Sequence, residues 1–168
     1  MGVSRRGLPP PTAHPTLWRQ AQLTAKHGLY EVTDGIYQVR GYDVSNMTLV
    51  EGDVGVIVID PLVSVECAAA ALALYREVRG DRPVTAVIYT HAHVDHFGGV
   101  LGVVDADTTV PIIAPEHFLE HAVSENVYAG TAMVRRGYYY AAINLERCRG
   151  KLPQRALSRP ELTDDLRP

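Results

Sequence analysis

RPVTAVIYTHAHVDHFGG, residues 82–99, runs from an apolar segment into three of the chain's seven histidines. Its first half, VTAVIYT, has the Val, Ile, Thr and Tyr content of a strand. The run is continuously apolar, which predicts burial on both faces. Its second half places His91, His93, Asp95 and His96 within six positions. In extended backbone, side chains two apart point to the same side, so His91 and His93 present two imidazoles to one point. Asp95 is next in that alternation, and His96 is expected to point elsewhere. Two nitrogen donors for one cation, with an Asp and a His beside them for a second, are what a two-metal site needs from a short loop. Imidazole plus carboxylate suits zinc best and leaves manganese and iron open. Gly98 and Gly99 are expected to let the backbone turn tightly after these residues. The bland alternative is a solvated surface loop. The spacing H-x-H-x-D-H directly after a buried strand favours the metal site.

Outward from this stretch the pattern is α/β. VIVIDP (56–61) is a second continuous apolar run, ended by Asp60-Pro61. Ser64 can cap the helix-favouring segment VECAAAALALYREVRG (65–80), and Gly80 stands where a left-handed cap would. Strand, helix, strand is a βαβ unit, so VIVID and TAVIY should be parallel neighbours. VPIIAP (110–115) reads as a further short strand, followed by a helix over PEHFLEHAVSE (115–125). On the N-terminal side, GIYQVRG (35–41) and NMTLVEG (46–52) are strand-like. TLWRQAQLTAKHGL (16–29) places Leu17, Gln20, Ala21 and Thr24 on one helical face, with Gly28 as a stop. The histidines therefore lie past the C-terminal end of a central strand, where open α/β sheets hold ligands.

Three segments are expected. Residues 1–15, with Pro9, Pro10, Pro11 and Pro15, form a flexible arm; residues 16–140 form the domain; residues 141–168 lose all periodicity and form a poorly ordered tail. The whole chain of 168 residues suits one domain, and 46% apolar with 21% charged residues is ordinary for one. A net charge of −3 without a basic stripe argues against a nucleic-acid partner. No apolar run is long enough to span a bilayer, and prolines stand where a signal peptide needs its apolar stretch. A cytoplasmic location is the expectation. Cys67 and Cys148 form no C-x-x-C pair and are expected as free thiols.

T-H-A-H-V-D-H-F-G-G resembles the signature of the metallo-β-lactamase fold. GIYQVRGYDVSNMTLVEGD, VIVIDPL, RPVTAVIYTHAHVDHFGG and VPIIAPEHFLEHAVSENVYAG together resemble its alkyl sulfatase branch, over roughly residues 16–140. The resemblance implies the N-terminal half of an αββα sandwich, a mixed sheet with flanking helices. It implies a binuclear zinc site, with His91 and His93 on one Zn2+ and Asp95 and His96 on the other. Asp95 is also the candidate catalytic carboxylate. The implied reaction is hydrolysis of an alkyl sulfate ester to alcohol and sulfate, with homodimerisation in the full-length family. Other ester or thioester hydrolysis, or a non-catalytic remnant, are the alternatives. Two zincs need roughly six protein ligands and this motif supplies four. The family's remaining ligands lie further downstream, so the chain is expected to be truncated, with one sheet face left uncovered.

Some local residues could substitute. His117 and His121 lie four apart on an expected helix and could share a metal, although ordinary surface histidines are the favoured reading. Glu116, Glu120 and Glu125 read as solvated or capping. Tyr138, Tyr139 and Tyr140 read as packing residues rather than as an alkyl-chain groove, because three consecutive aromatics cannot share a face. Asn46 and Asn126 read as turn or cap residues.

Overall fold

In the computed structural model, described for residues 9, 11, 13–107 and 109–140, six strands lie side by side in chain order. β1 (Gly28–Thr33), β2 (Ile36–Arg40), β3 (Met47–Glu51) and β4 (Val56–Ile59) form an antiparallel meander. β4, β5 (Val84–Ile88) and β6 (Ile112–Ile113) are parallel. The expected βαβ unit is present: α2 (Val65–Arg79) crosses between β4 and β5, with Ser64 Oγ accepting from Cys67 N at 3.1 Å. The remaining helices are α1 (Pro15–Thr24), α3 (Phe118–Val123) and α4 (Gly130–Tyr140).

Alternation builds the core. Tyr37, Val39, Met47, Leu49, Val56, Val58 and Val87 come from one sheet face and pack with Ala68, Ala71, Leu72 and Tyr75 of α2. Ile57, Ile59 and Ile88 point the other way and are only half-buried. The expectation of strands buried on both faces is thus corrected: α2 covers one face, and the other is partly open among the described residues.

Four local expectations also change. The first helix ends at Thr24, and residues 28–33 form β1 instead. GLYEVT has no buried residue, so its strand character comes from pairing with β2 rather than from its own pattern. Gly80 has the positive φ expected of a cap (92°), but its ψ of 161° is extended and carries the chain straight out of the helix. The expected helix over 115–125 starts only at Phe118, because His117 is left-handed at φ 60°. Beyond Val123 the chain makes one wide π turn (Ser124–Tyr128) and continues as α4, which the sequence pattern did not announce.

Residues 1–8 of the expected arm, Cys148 and the tail 141–168 lie outside the described residues. Cys67 is a free thiol. Among the described residues no helix is long and apolar enough to cross a membrane.

One polar lock closes the end of the sheet at Glu51. Arg79 donates to both its oxygens, at 3.0 and 3.1 Å, and Tyr75 Oη donates at 2.9 Å. The Arg79 hydrogen bonds hold the Glu51 carboxyl below its ordinary value of 4.5. Burial, then Glu51 itself, pushes the Tyr75 phenol up to about 12. A carboxyl lowered on folding stabilises fully above its unfolded pKa and loses that contribution as pH falls through the folded value. We therefore expect the melting temperature to drop below pH 4.5 more steeply in the wild type than in Glu51→Gln. Parallel pH profiles for the two chains would remove Glu51 from the acid response.

Candidate metal centre

β5 ends at Ile88, and Asp60 catches the chain as it leaves. Asp60 Oδ1 accepts from Thr90 N at 2.9 Å and Oδ2 from Thr90 Oγ1 at 2.7 Å. The extended backbone predicted through Asp95 ends earlier: residues 90–92 are bent, and Val94–His96 wind into a single 3-10 turn. His96 N donates to His93 O at 3.0 Å. This turn corrects the expectation that His96 points elsewhere: its ring lies 4.1 Å from that of His91, centroid to centroid. Asp95 is displaced from the alternation and instead places Oδ2 3.3 Å from His96 Nε2. All four predicted residues are together.

The hydrogen bonds fix which nitrogens are available. A carboxylate only accepts, so His96 Nδ1 must donate to Asp60 Oδ2 across 2.8 Å, leaving Nε2 with its lone pair. Thr90 has spent its single hydroxyl proton on Asp60. Its oxygen therefore accepts from His91 Nδ1 at 2.9 Å, leaving His91 Nε2 as a lone pair also. That nitrogen faces His93 Nδ1 at 2.9 Å. Anchoring one imidazole nitrogen to a carboxylate or hydroxyl and presenting the other is how metal-binding histidines are held.

Imidazole nitrogens and a carboxylate are donors that zinc takes, and His91 and His96 each present Nε2. Two nitrogens bound to one tetrahedral zinc sit about 3.3 Å apart, so the His91–His93 pair needs to part by a few tenths of an ångström. Among the described residues, no group of three or more His, Cys, Asp or Glu side chains forms a set able to hold a metal.

Of the buried polar residues Asp43, Ser45 and Asp60, the last two bond to this loop and Asp43 holds the neighbouring segment at Val63. Asp43 accepts from Val44 N at 2.6 Å and Val63 N at 2.8 Å, and Ser45 Oγ donates to Asp95 O. Burial pushes the Asp43 carboxyl up, against the two backbone donors that favour its charged form. Asp60 itself has φ 56°, in the left-handed region that Asp tolerates better than most residues. None of the three was singled out from sequence as a site residue. Asp60 was legible only as the end of a strand; its position on the same sheet edge as the histidines was the available signal.

The chain turns at Gly98 and Gly99 as expected, with Gly98 N donating to Val94 O at 2.8 Å, but no left-handed backbone is what requires glycine there. Gly99 has an ordinary φ of −88°, and no left-handed φ occurs at Gly98. They are small because the loop lies directly on backbone: a Cβ on Gly99 would strike Pro61 O and lie 2.5 Å from Ser64 O, and one on Gly98 would strike Val63 O.

The opposite wall comes from α3 and the turn after it. Tyr89, Phe97 and Phe118 form a trio with ring centroids 5.1–5.9 Å apart, seating α3 on the histidine loop. Between the walls lies a cleft of about 400 Å³ lined by His91, His93, Pro115, Phe118, His121 and Glu125 among others. It continues past His93 and Asp95 toward Met133, Val134 and Arg136 of α4. Glu125, expected to be solvated, places Oε1 3.3 Å from His93 Nε2. His121 lines the cleft, whereas His117 approaches Glu116 and Glu120, at 3.5 and 3.4 Å. The two histidines share no helix face, since His117 precedes the helix. Tyr139 is 88% exposed, against the expectation of packing, and the Asn126 side chain donates through Nδ2 to the backbone Ala122 O at 2.8 Å.

Comparison with known proteins places these features in context. The chain is 63% identical over 134 residues to a linear primary-alkylsulfatase from Pseudomonas sp, covering 77% of this chain and 20% of that protein. It is 51% identical over 140 residues to an (R)-specific secondary-alkylsulfatase from Pseudomonas sp, covering 81% and 21%. The solved structure of a stereoselective inverting sec-alkylsulfatase from Pseudomonas sp. superposes with a TM-score of 0.78 at 48% identity, over 86% of this chain and 23% of that one. The chain thus spans about a fifth of the length of these relatives. Residues 40–161 match the family described as Metallo-beta-lactamase superfamily, a span that contains the whole histidine loop and its Asp43, Ser45 and Asp60 supports, and to that superfamily the chain belongs.

Proposed function

We propose that this chain carries the histidine loop of a zinc-dependent alkyl sulfatase, which cleaves alkyl sulfate esters to alcohol and sulfate. The observation that carries the reading is its 51–63% identity to primary and secondary alkylsulfatases over about four-fifths of its length. His91 and His93 would hold one Zn2+, and Asp95 and His96 the second, with Asp95 as the catalytic carboxylate. Bound zinc supplies positive charge that neutralises sulfate oxygens and makes water a usable nucleophile at neutral pH.

The protein's own groups do the rest. Asp60 and Thr90 hold the Nδ1 protons of His96 and His91, so that both rings present Nε2. Phe118 and Pro115 give the cleft an apolar wall beside the histidines, suited to an alkyl chain next to a charged head group. Met133 and Val134 extend that surface, with Arg136 supplying a cation near the same groove.

The test is metal-dependent sulfate release from a medium-chain alkyl sulfate. We expect activity that requires zinc and falls at least about 10²-fold in His93→Ala. Zinc uptake without sulfate release would instead support a second reading, a metal-holding chain without turnover. That reading is favoured by the four donors of the loop, two short of what two zincs need.

A further inference from the structure

The contact between His91 Nε2 and His93 Nδ1 poses a choice that neither ring can settle alone. His91 Nε2 is a lone pair, because its Nδ1 proton is held by Thr90. A neutral His93 has one ring proton. If it sits on Nδ1, the two rings hydrogen-bond to each other across 2.9 Å, no lone pair remains between them for a cation, and the lone pair of His93 is turned to whatever faces its Nε2. If it sits on Nε2, the ring donates to whatever faces that nitrogen, and two lone pairs converge between the rings where a cation would bind. The outcome depends on what faces His93 Nε2, and there Glu125 Oε1 lies at 3.3 Å.

We infer that Glu125 is a positioning residue: its carboxylate, set against His93 Nε2, keeps the proton on that nitrogen and leaves His93 Nδ1 open beside His91 Nε2 for the metal. The inference rests on the metal reading of the loop and adds a residue from outside its motif.

The backbone explains how Glu125 gets there. The aromatic trio of Tyr89, Phe97 and Phe118 fixes the start of α3 against the loop. The wide turn Ser124–Tyr128 then closes with Ala129 N donating to Ser124 O at 2.9 Å. A π turn adds a residue to the helical circuit and re-aims the side chains within it, and such turns recur at functional sites. Glu125 ends up lining both the inner cleft and its extension, with a side chain only 27% exposed. Its neighbours Glu116 and Glu120, in contrast, are 89% and 78% exposed.

The experiment uses the full chain labelled with ¹⁵N-histidine, read by long-range proton–nitrogen correlation without metal at mildly alkaline pH. We expect His93 as the Nε2–H form in the wild type and in Glu125→Gln, whose amide oxygen can still accept. In Glu125→Ala we expect the Nδ1–H form. A zinc competition titration should then show affinity about 10–100-fold weaker for the alanine variant, and most of it restored by glutamine. An Nδ1–H form in the wild type overturns the proposal without any variant having to fold. So does an alanine variant with unchanged tautomer, or one with unchanged zinc affinity. A wild-type chain that takes up no zinc overturns the metal reading instead, since the tautomer is read in its absence.

Discussion

Asp60→Ala is expected to lower the folding free energy by about 3 kcal/mol and to abolish high-affinity zinc uptake. Asp60 is only 8% exposed, and its carboxylate accepts from Thr90 N, Thr90 Oγ1 and His96 Nδ1. Truncation strands those donors beneath the loop, each at about 1–3 kcal/mol when left without a partner. It also puts a residue with no local hydrogen bond into a left-handed φ of 56°, adding roughly 1 kcal/mol. Asp60→Asn separates the two effects. Its oxygen can still accept from Thr90 N and it tolerates the backbone, but its amide presents protons where His96 Nδ1 and the Thr90 hydroxyl need an acceptor. We expect that variant to fold with a loss near 1 kcal/mol and yet bind zinc at least tenfold more weakly. Denaturant unfolding and competition titration on the same samples measure both quantities. An alanine variant with wild-type zinc affinity would show that His96 is oriented without Asp60.

Gly99→Ala is the second large effect. One methyl group would meet Pro61 O and Ser64 O on the backbone and lie 2.8 Å from Ala68 Cβ. None of these is the tip of a flexible side chain, so either the loop or the start of α2 has to move. The expected cost is about 3–5 kcal/mol, in the range of severe core overpacking. The shift would also break Gly99 N to Leu62 O, a 2.9 Å bond that ties the loop to the segment after β4. A thermal or urea melt reads the loss. Gly35→Ala is a useful contrast: it has open space for a Cβ but φ 73°, so its cost is conformational strain alone and should stay near 1 kcal/mol. Equal losses at the two positions would argue against steric contact as the reason for Gly99.

What could be read from sequence was what lies close together in it. The βαβ unit follows from two apolar runs flanking an alanine-rich, Ser64-capped helix. His91, His93, Asp95 and His96 are found because they share one loop. The supports were hidden by separation. Asp60 meets His96 across 36 residues and Ser45 meets Asp95 across 50, and no periodicity carries such pairings. β1 escaped because an exposed edge strand is defined by its neighbour, not by its own alternation. Glu125 escaped because a π turn shifts side chains out of the 3.6-residue register on which helix faces are drawn. The turn at Gly98 and Gly99 was legible but their close approach to backbone was not: a glycine required by a close neighbour looks, in sequence, the same as one required by a turn.

The two walls of the cleft are built from unlike material. The histidine wall is pinned to backbone, through Gly99 N on Leu62 O, the close approach of Gly99 to Pro61 O and Thr90 N on the Asp60 carboxylate. The facing wall presents side chains from Pro115 to Arg136, many of them exposed. Anyone diversifying this protein should therefore randomise the second wall and leave the first untouched. A library at the exposed positions of 119–136, sparing Phe118, Ala122 and Glu125, samples new cleft shapes on an intact fold, whereas one at 90–102 mostly samples chains that do not fold.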